Sequence, residues 1–141
     1  MLKDHINLLL KNEKIKSPIY DYKKHKRKKL YKTIYPNKLI FVEGTLIFYF
    51  KEIVKFMSLK IFIHAKEKVR FTRRLNRDII YRARTKDSIH EQYHKTVKPM
   101  YNEYVRPLKS KADLIISGES ELVDNRNKII REIDSMIKGN L

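Results

Sequence analysis

Two kinds of apolar pattern alternate along this chain, and together they predict strands interleaved with helices. Apolar residues run almost without a break at 39–42 (Leu39, Ile40, Phe41, Val42), 59–63 and 114–116, although Lys60 interrupts the second run. Continuous rather than alternating apolarity predicts strands buried on both faces, as in a parallel sheet. Elsewhere apolar residues return every three or four positions, the spacing of one helix face. Leu2–Leu10 carries Leu2, Ile6 and Leu9 or Leu10 on one side, and 48–57 follows the first apolar run. Phe71, Leu75 and Ile79 form a stripe on a third helix. Ile89, Tyr93, Val97, Met100 or Tyr101, and Tyr104 form one on a fourth. Ser88 and Glu91 read as a capping box opening that fourth helix, and Pro99 inside it predicts a kink. A closing helix over 124–137 places Ile129, Ile133 and Met136 or Ile137 toward the sheet. Between the first helix and the first run, 19–35 reads as a hairpin, with Pro18 suited to the first position of its strand. Strands alternating with helices argue an α/β fold. No repeat or long linker divides residues 1–141, so one domain is expected.

Charge changes the picture next. Thirty-three Lys+Arg oppose 16 Asp+Glu in 141 residues, a formal +17 that favours polyanionic partners. Lys, Ile, Asn and Tyr are all abundant, as an AT-rich gene would give, so part of the excess is compositional. With no Cys, disulfides, thiolate metal sites and Cys nucleophiles are excluded. The apolar segment 39–50 is broken by Glu43 and too short to span a bilayer, and the first residues lack a signal-peptide core. No membrane association is expected, and the cytoplasm is the default location.

The strongest chemical signal is a face of guanidiniums. Arg70, Arg73, Arg74 and Arg77 share the third helix, with Arg82 and Arg84 just beyond. Such neighbours repel one another by about 0.2–0.5 kcal/mol per pair. Their planar forks match phosphate oxygens, so an anion is one reading and a solvated basic face the other. Glu43 ends the run 39–42, where open α/β sheets bind ligands and a carboxylate can serve Mg²⁺; it can equally be a strand-end acid meeting solvent. Tyr20 can stack on a base and His25 can hydrogen-bond a pyrimidine, or the two can be core and solvated charge run. His90-Glu91-Gln92-Tyr93-His94 has the H-E-x-x-H spacing of zinc hydrolases, with Glu119 or Glu121 as a third ligand. The basic stretch 23–32 with Tyr22 and Tyr31 could grip nucleic acid. The three glycines, Gly44, Gly118 and Gly139, are too scattered for the G-x-x-x-x-G-K-[ST] phosphate loop.

Residue identity then narrows the choice. R-R-x-x-R-D-I (Arg73 to Ile79), R-x-R (Arg82, Arg84) and Q-Y-x-K-T-V-x-P-M (Gln92 to Met100) follow one another closely. Upstream stand P-x-Y-D-x-x-x-H-x-R from Pro18 to Arg27 and V-E-G at Val42, Glu43 and Gly44. This set resembles the uridine kinase (uridine–cytidine kinase) family, within the P-loop nucleoside kinases; phosphoribulokinases share the superfamily but fit the Tyr–His and Q-Y signatures less well. The resemblance implies a truncated P-loop kinase-type parallel sheet flanked by helices, a base-recognition hairpin at 19–35, and an arginine-rich lid with its following helix at 70–104. It implies Mg²⁺-dependent transfer of the γ-phosphate of ATP or GTP to the 5′-hydroxyl of uridine or cytidine. By the same carry-over Arg74, Arg77 and Arg82 act in catalysis. Tyr20, His25, Arg84, Gln92 and Tyr93 bind substrate, and Glu43 serves the metal. Two departures stand out. Ala83 replaces the glycine between the lid arginines, and His64-Ala65 replaces the usual Asp-Thr after the second run. The match reaches only the later two-thirds or so of a complete uridine kinase. The phosphate loop, the carboxylate activating the 5′-hydroxyl and the acid binding the ribose hydroxyls are expected to be missing. The chain is therefore expected to be inactive alone, a second polypeptide supplying the phosphate loop or self-association being the implied partners.

Overall fold

The computed structural model describes residues 1–22, 24 and 26–139. Helix α1 (Leu2–Leu10) lies against strand β1 (Ile15–Asp21), burying Ile6, Leu9 and Ile15. β1 pairs antiparallel with β2 (Lys26–Ile34), from Ile15 opposite Ile34 to Asp21 opposite Lys26. Pro18 does not start the strand as expected. It sits inside, opposite Tyr31, and the register slips between Pro18 and Tyr20. A residue without an N–H is tolerated at such an irregularity. Every residue of β2 is exposed, so the hairpin projects from the body.

The parallel sheet is smaller than the apolar runs predict. β3 (Ile61–His64) pairs in parallel with β4 (Leu114–Ser117), Ile61 opposite Leu114 and His64 opposite Ser117. Residues 39–42 form no strand, and Phe41 is 73% exposed, the reverse of a strand buried on both faces. A parallel strand needs neighbours to satisfy its backbone, and among the described residues none pairs with this run. The helical stretch expected over 48–57 shortens to a 3-10 turn (Ile47–Tyr49) and α2 (Lys51–Val54). The core gathers around Phe48, Phe62 and Leu108, with Ile47, Val54, Met57, Val105 and Ala112 against it.

Helix α3 (Glu67–Arg82) follows β3 and corrects the expected stripe. Phe71 and Leu75 are only half-buried, Ile79 is exposed, and the fully buried residue is Asp78. α4 (Lys86–Gln92) is capped by Thr85, whose Oγ1 accepts from the Ser88 N–H, rather than by the Ser88–Glu91 box. Beyond it the helix continues to Lys111 through π-helical turns at Tyr93–Val97 and Tyr101–Val105, on either side of α5 (Lys98–Met100). Pro99 lacks the N–H that would bond back one turn, and the chain answers by widening on both sides of it. α6 (Leu122–Gly139) closes the described chain. Its Ile129 and Ile133 are half-buried, while Ile137 is exposed.

Candidate functional site

Asp78 organises the arginine helix. It sits at i+4 from Arg74 and i−4 from Arg82, so all three share one face of α3. Arg77 Nε donates to Asp78 Oδ1 at 2.8 Å, and Arg82 Nη1 approaches the same oxygen at 3.2 Å. Arg74 Nε lies 3.5 Å from Oδ2. Burial pushes the Asp78 carboxyl up, but the hydrogen bond from Arg77 and the charges of Arg77, Arg74 and Arg82 outweigh it. Its pKa therefore lies below the ordinary carboxylate value. Burial lowers the pKa of Arg74, against the opposing pull of Asp78.

The turn after α3 carries Arg84 into the same cluster. Ala83 caps the helix in the left-handed region, φ 52 and ψ 41. The Arg84 N–H then closes on Asp78 O at 3.2 Å. Arg84 Nη2 reaches Ser88 O, and its Nη1 donates to Gln92 Oε1. Arg74 Nη2 donates to that same Gln92 oxygen at 3.0 Å. Arg74, Arg84 and Gln92 thus meet at one point, and Arg77 and Arg82 join them through Asp78. The hairpin touches this cluster where the Arg82 guanidinium lies 5.0 Å from the ring centroid of Tyr22.

The other sequence-predicted residues lie elsewhere. Tyr93 is buried, its ring 4.6 Å from that of Phe71, and burial raises its pKa. Tyr20 is 44% exposed on β1 and packs edge-on against Tyr22 at 5.1 Å. His25 lies outside the described residues. Glu43 is exposed on irregular chain rather than at a strand end. An apolar cavity beside the sheet and α6 includes Phe41, Ile63, Ile116 and Ile133, and a polar one includes Lys66 and Tyr101. Neither is lined by Tyr20, Glu43, Arg74, Arg77, Arg82, Arg84, Gln92 or Tyr93.

Sequence reasoning gave no role to Asp78, and it read Tyr22 only as part of a basic stretch that could grip nucleic acid, not as a neighbour of Arg82. Asp78 could have been found from its spacing to Arg74 and Arg82; the Tyr22 contact joins distant parts of the chain and left no local signal.

The donor sets for the implied Mg²⁺ and nucleotide are incomplete. Glu43 stands apart, and among the described residues no three His, Asp or Glu side chains converge as a metal site. The scattered glycines form no phosphate loop. The H-E-x-x-H pair fares no better. The His90 and His94 rings stack with centroids 6.5 Å apart, His90 packs on Phe71, and Glu119 accepts the Lys66 N–H at 2.7 Å. Among the described residues, no helix is long and apolar enough to cross a membrane.

Known proteins resemble this chain in sequence. The profile of the phosphoribulokinase / uridine kinase family matches residues 1–123. The uridine kinase of Listeria monocytogenes serotype 4a (strain HCC23) is 44% identical over 121 residues, 86% of this chain and 58% of its own length. That of Leuconostoc citreum (strain KM20) is 37% identical over 132 residues, 94% of this chain and 63% of its own length. That of Bacillus mycoides (strain KBAB4) is 39% identical over 116 residues, 82% of this chain and 55% of its own length. The chain spans less than two thirds of each of these relatives. The profile match takes in the hairpin, the Asp78-centred arginine helix and β4 alike, and the chain belongs to the phosphoribulokinase / uridine kinase family.

Proposed function

We propose that these residues form the nucleoside-side and lid portion of a uridine kinase. In the family reaction the γ-phosphate of ATP or GTP passes to the 5′-hydroxyl of uridine or cytidine with Mg²⁺, a step of pyrimidine salvage. Catalysis of that kind is largely positioning and charge neutralisation. The observation that carries the reading is the meeting of Arg74 and Arg84 on Gln92 Oε1. Guanidiniums held by a neutral amide can exchange it for a phosphate oxygen without leaving a charge unpaired. On this reading Arg74, Arg77 and Arg82 neutralise the transferring phosphate, and Tyr20 and His25 hold the base. Arg84, Gln92 and Tyr93 secure the nucleoside side, and Glu43 is the metal-side acid. The residues 19–35 act as the base-recognition hairpin and 70–104 as the lid with its following helix.

The 141 residues do not transfer phosphate by themselves on this reading, because no phosphate loop is among them. On this reading the phosphate loop is supplied from outside these 141 residues. The test has two arms. Uridine should bind the purified chain in ligand-observed NMR, and Tyr20→Ala with His25→Ala should abolish binding. ATP-dependent UMP formation should be absent from the chain alone. Turnover by these 141 residues alone overturns the need for a phosphate loop from outside them, and uridine binding indifferent to Tyr20 and His25 overturns the nucleoside assignment.

A further inference from the structure

A second basic site lies away from the lid cluster and differs from it in one decisive respect. The lid arginines carry their own counter-ion, Asp78. The polar cavity of about 320 Å³ between the end of β3, the start of α3 and the helix after Pro99 carries none to spare. Four cations line it: Lys66, Arg70, Arg106 and Lys109. Its one lining acid, Glu67, is engaged by Lys98 at 2.8 Å, and that hydrogen bond holds the Glu67 carboxyl below its ordinary value. Among the described residues no carboxylate forms an ion pair with any of the four.

One of the four is already fixed in place. Arg70 Nε donates to Ala65 O at 3.1 Å, and its guanidinium carbon lies 3.5 Å from the ring centroid of Tyr101. A held guanidinium loses little further freedom when it meets an anion. The sequence moves the local charge the same way. His64 and Ala65 complete this part of the rim and bring no carboxylate to it. Like charges gathered without a counter-ion repel, and an incoming anion relieves that repulsion.

We infer that this cavity binds a small molecule carrying two or more phosphates. Its volume falls at the small end of ligand pockets. Arginine forks also discriminate for phosphate oxygens over a diffuse negative charge. The site rests on its side chains rather than on the start of α3, whose Lys66 N–H is already given to Glu119.

Calorimetric titration of the full chain with inorganic tripolyphosphate tests the inference, with citrate as the carboxylate counterpart. Saturable one-to-one binding of tripolyphosphate is expected, with citrate clearly weaker. Arg106→Glu combined with Lys109→Glu should weaken it by about tenfold or more, while Lys128→Glu with Arg131→Glu, both exposed on α6, should change it by less than about twofold. Equal losses from the two pairs would mean attraction to the overall +17 charge and would overturn the site. So would equal affinity for citrate. Circular dichroism checks that the double variant folds. If it does not, Lys66→Ala at its exposed position takes its place, and undiminished binding then overturns the inference.

Discussion

Arg74 Nε and Asp78 Oδ2 lie 3.5 Å apart, both buried, and among the described residues neither atom has a hydrogen-bond partner. The ion pair on α3 is therefore held by charge on this side and by hydrogen bonding only on the Oδ1 side, where Arg77 donates. A carboxylate with no exposed surface is shared among three arginines, its single charge offsetting part of their mutual repulsion. Asp78→Asn keeps the shape and removes the charge. Breaking a buried ion pair from one side costs about 3–5 kcal/mol, and the partly exposed arginines here place the expected loss at about 3 kcal/mol. Urea denaturation of the two proteins measures it. A loss no larger than that of a surface substitution would show that Asp78 does not organise the cluster.

The same carboxylate sets the response to acid. Its folded pKa lies below its unfolded value, so its contribution is complete above the ordinary carboxylate range and disappears as pH falls through the folded value. Asp113 follows the same sign. Its pKa is lowered first by the hydrogen bond from Lys60, whose Nζ and backbone N–H both donate to Oδ2 at 2.7 Å. Stability should therefore fall steeply below about pH 4. Chemical denaturation across pH 6 to about pH 3 reads this. Asp78→Asn should flatten the slope without abolishing it, because Asp113 remains.

Ala83 offers a prediction of opposite direction. The left-handed conformation costs an L-residue with a Cβ about 1–2 kcal/mol, and Ala83 adopts it at φ 52. Glycine removes that cost but gains freedom in the unfolded chain, which offsets about 0.4–1 kcal/mol. Ala83→Gly should thus stabilise the protein by about 0.5–1 kcal/mol, seen as a raised urea midpoint at unchanged slope. A lowered midpoint would mean that this turn is not held left-handed.

The legible parts of this fold are those fixed by neighbours in sequence. Periodicity located α1, the arginine helix, the long helix through Pro99 and the strands at Ile61–His64 and Leu114–Ser117. The departure at Ala83 was visible in the sequence, and the structure adds its left-handed backbone. What failed depended on partners distant along the chain. The run 39–42 has strand composition, yet a strand exists only beside another, and Phe41 is left exposed instead. The apolar stripe of α3 is legible in the sequence but its depth is not, and three guanidiniums around one carboxylate bury Asp78 more completely than the stripe buries Ile79. Convergence of Arg74 and Arg84 on Gln92 spans a turn whose geometry no periodicity encodes.

The open sheet gives the last prediction. β3 and β4 pair with each other and, among the described residues, with no further strand. Parallel strands are normally covered on both faces, yet Ile63 is 65% exposed and Ile115 is 47% exposed. Unpaired edges and bare apolar side chains recruit other chains. The +17 charge opposes such contacts over distance, but salt of about 0.15 M screens it within about 8 Å. Association should therefore grow with both protein and salt concentration, and sedimentation velocity measures it. Ile63→Lys should shift the population toward monomer at little cost in fold, since that side chain is mostly in solvent already. A wild-type chain that stays monomeric in high salt at every concentration would mean that the two-stranded sheet is content with open edges.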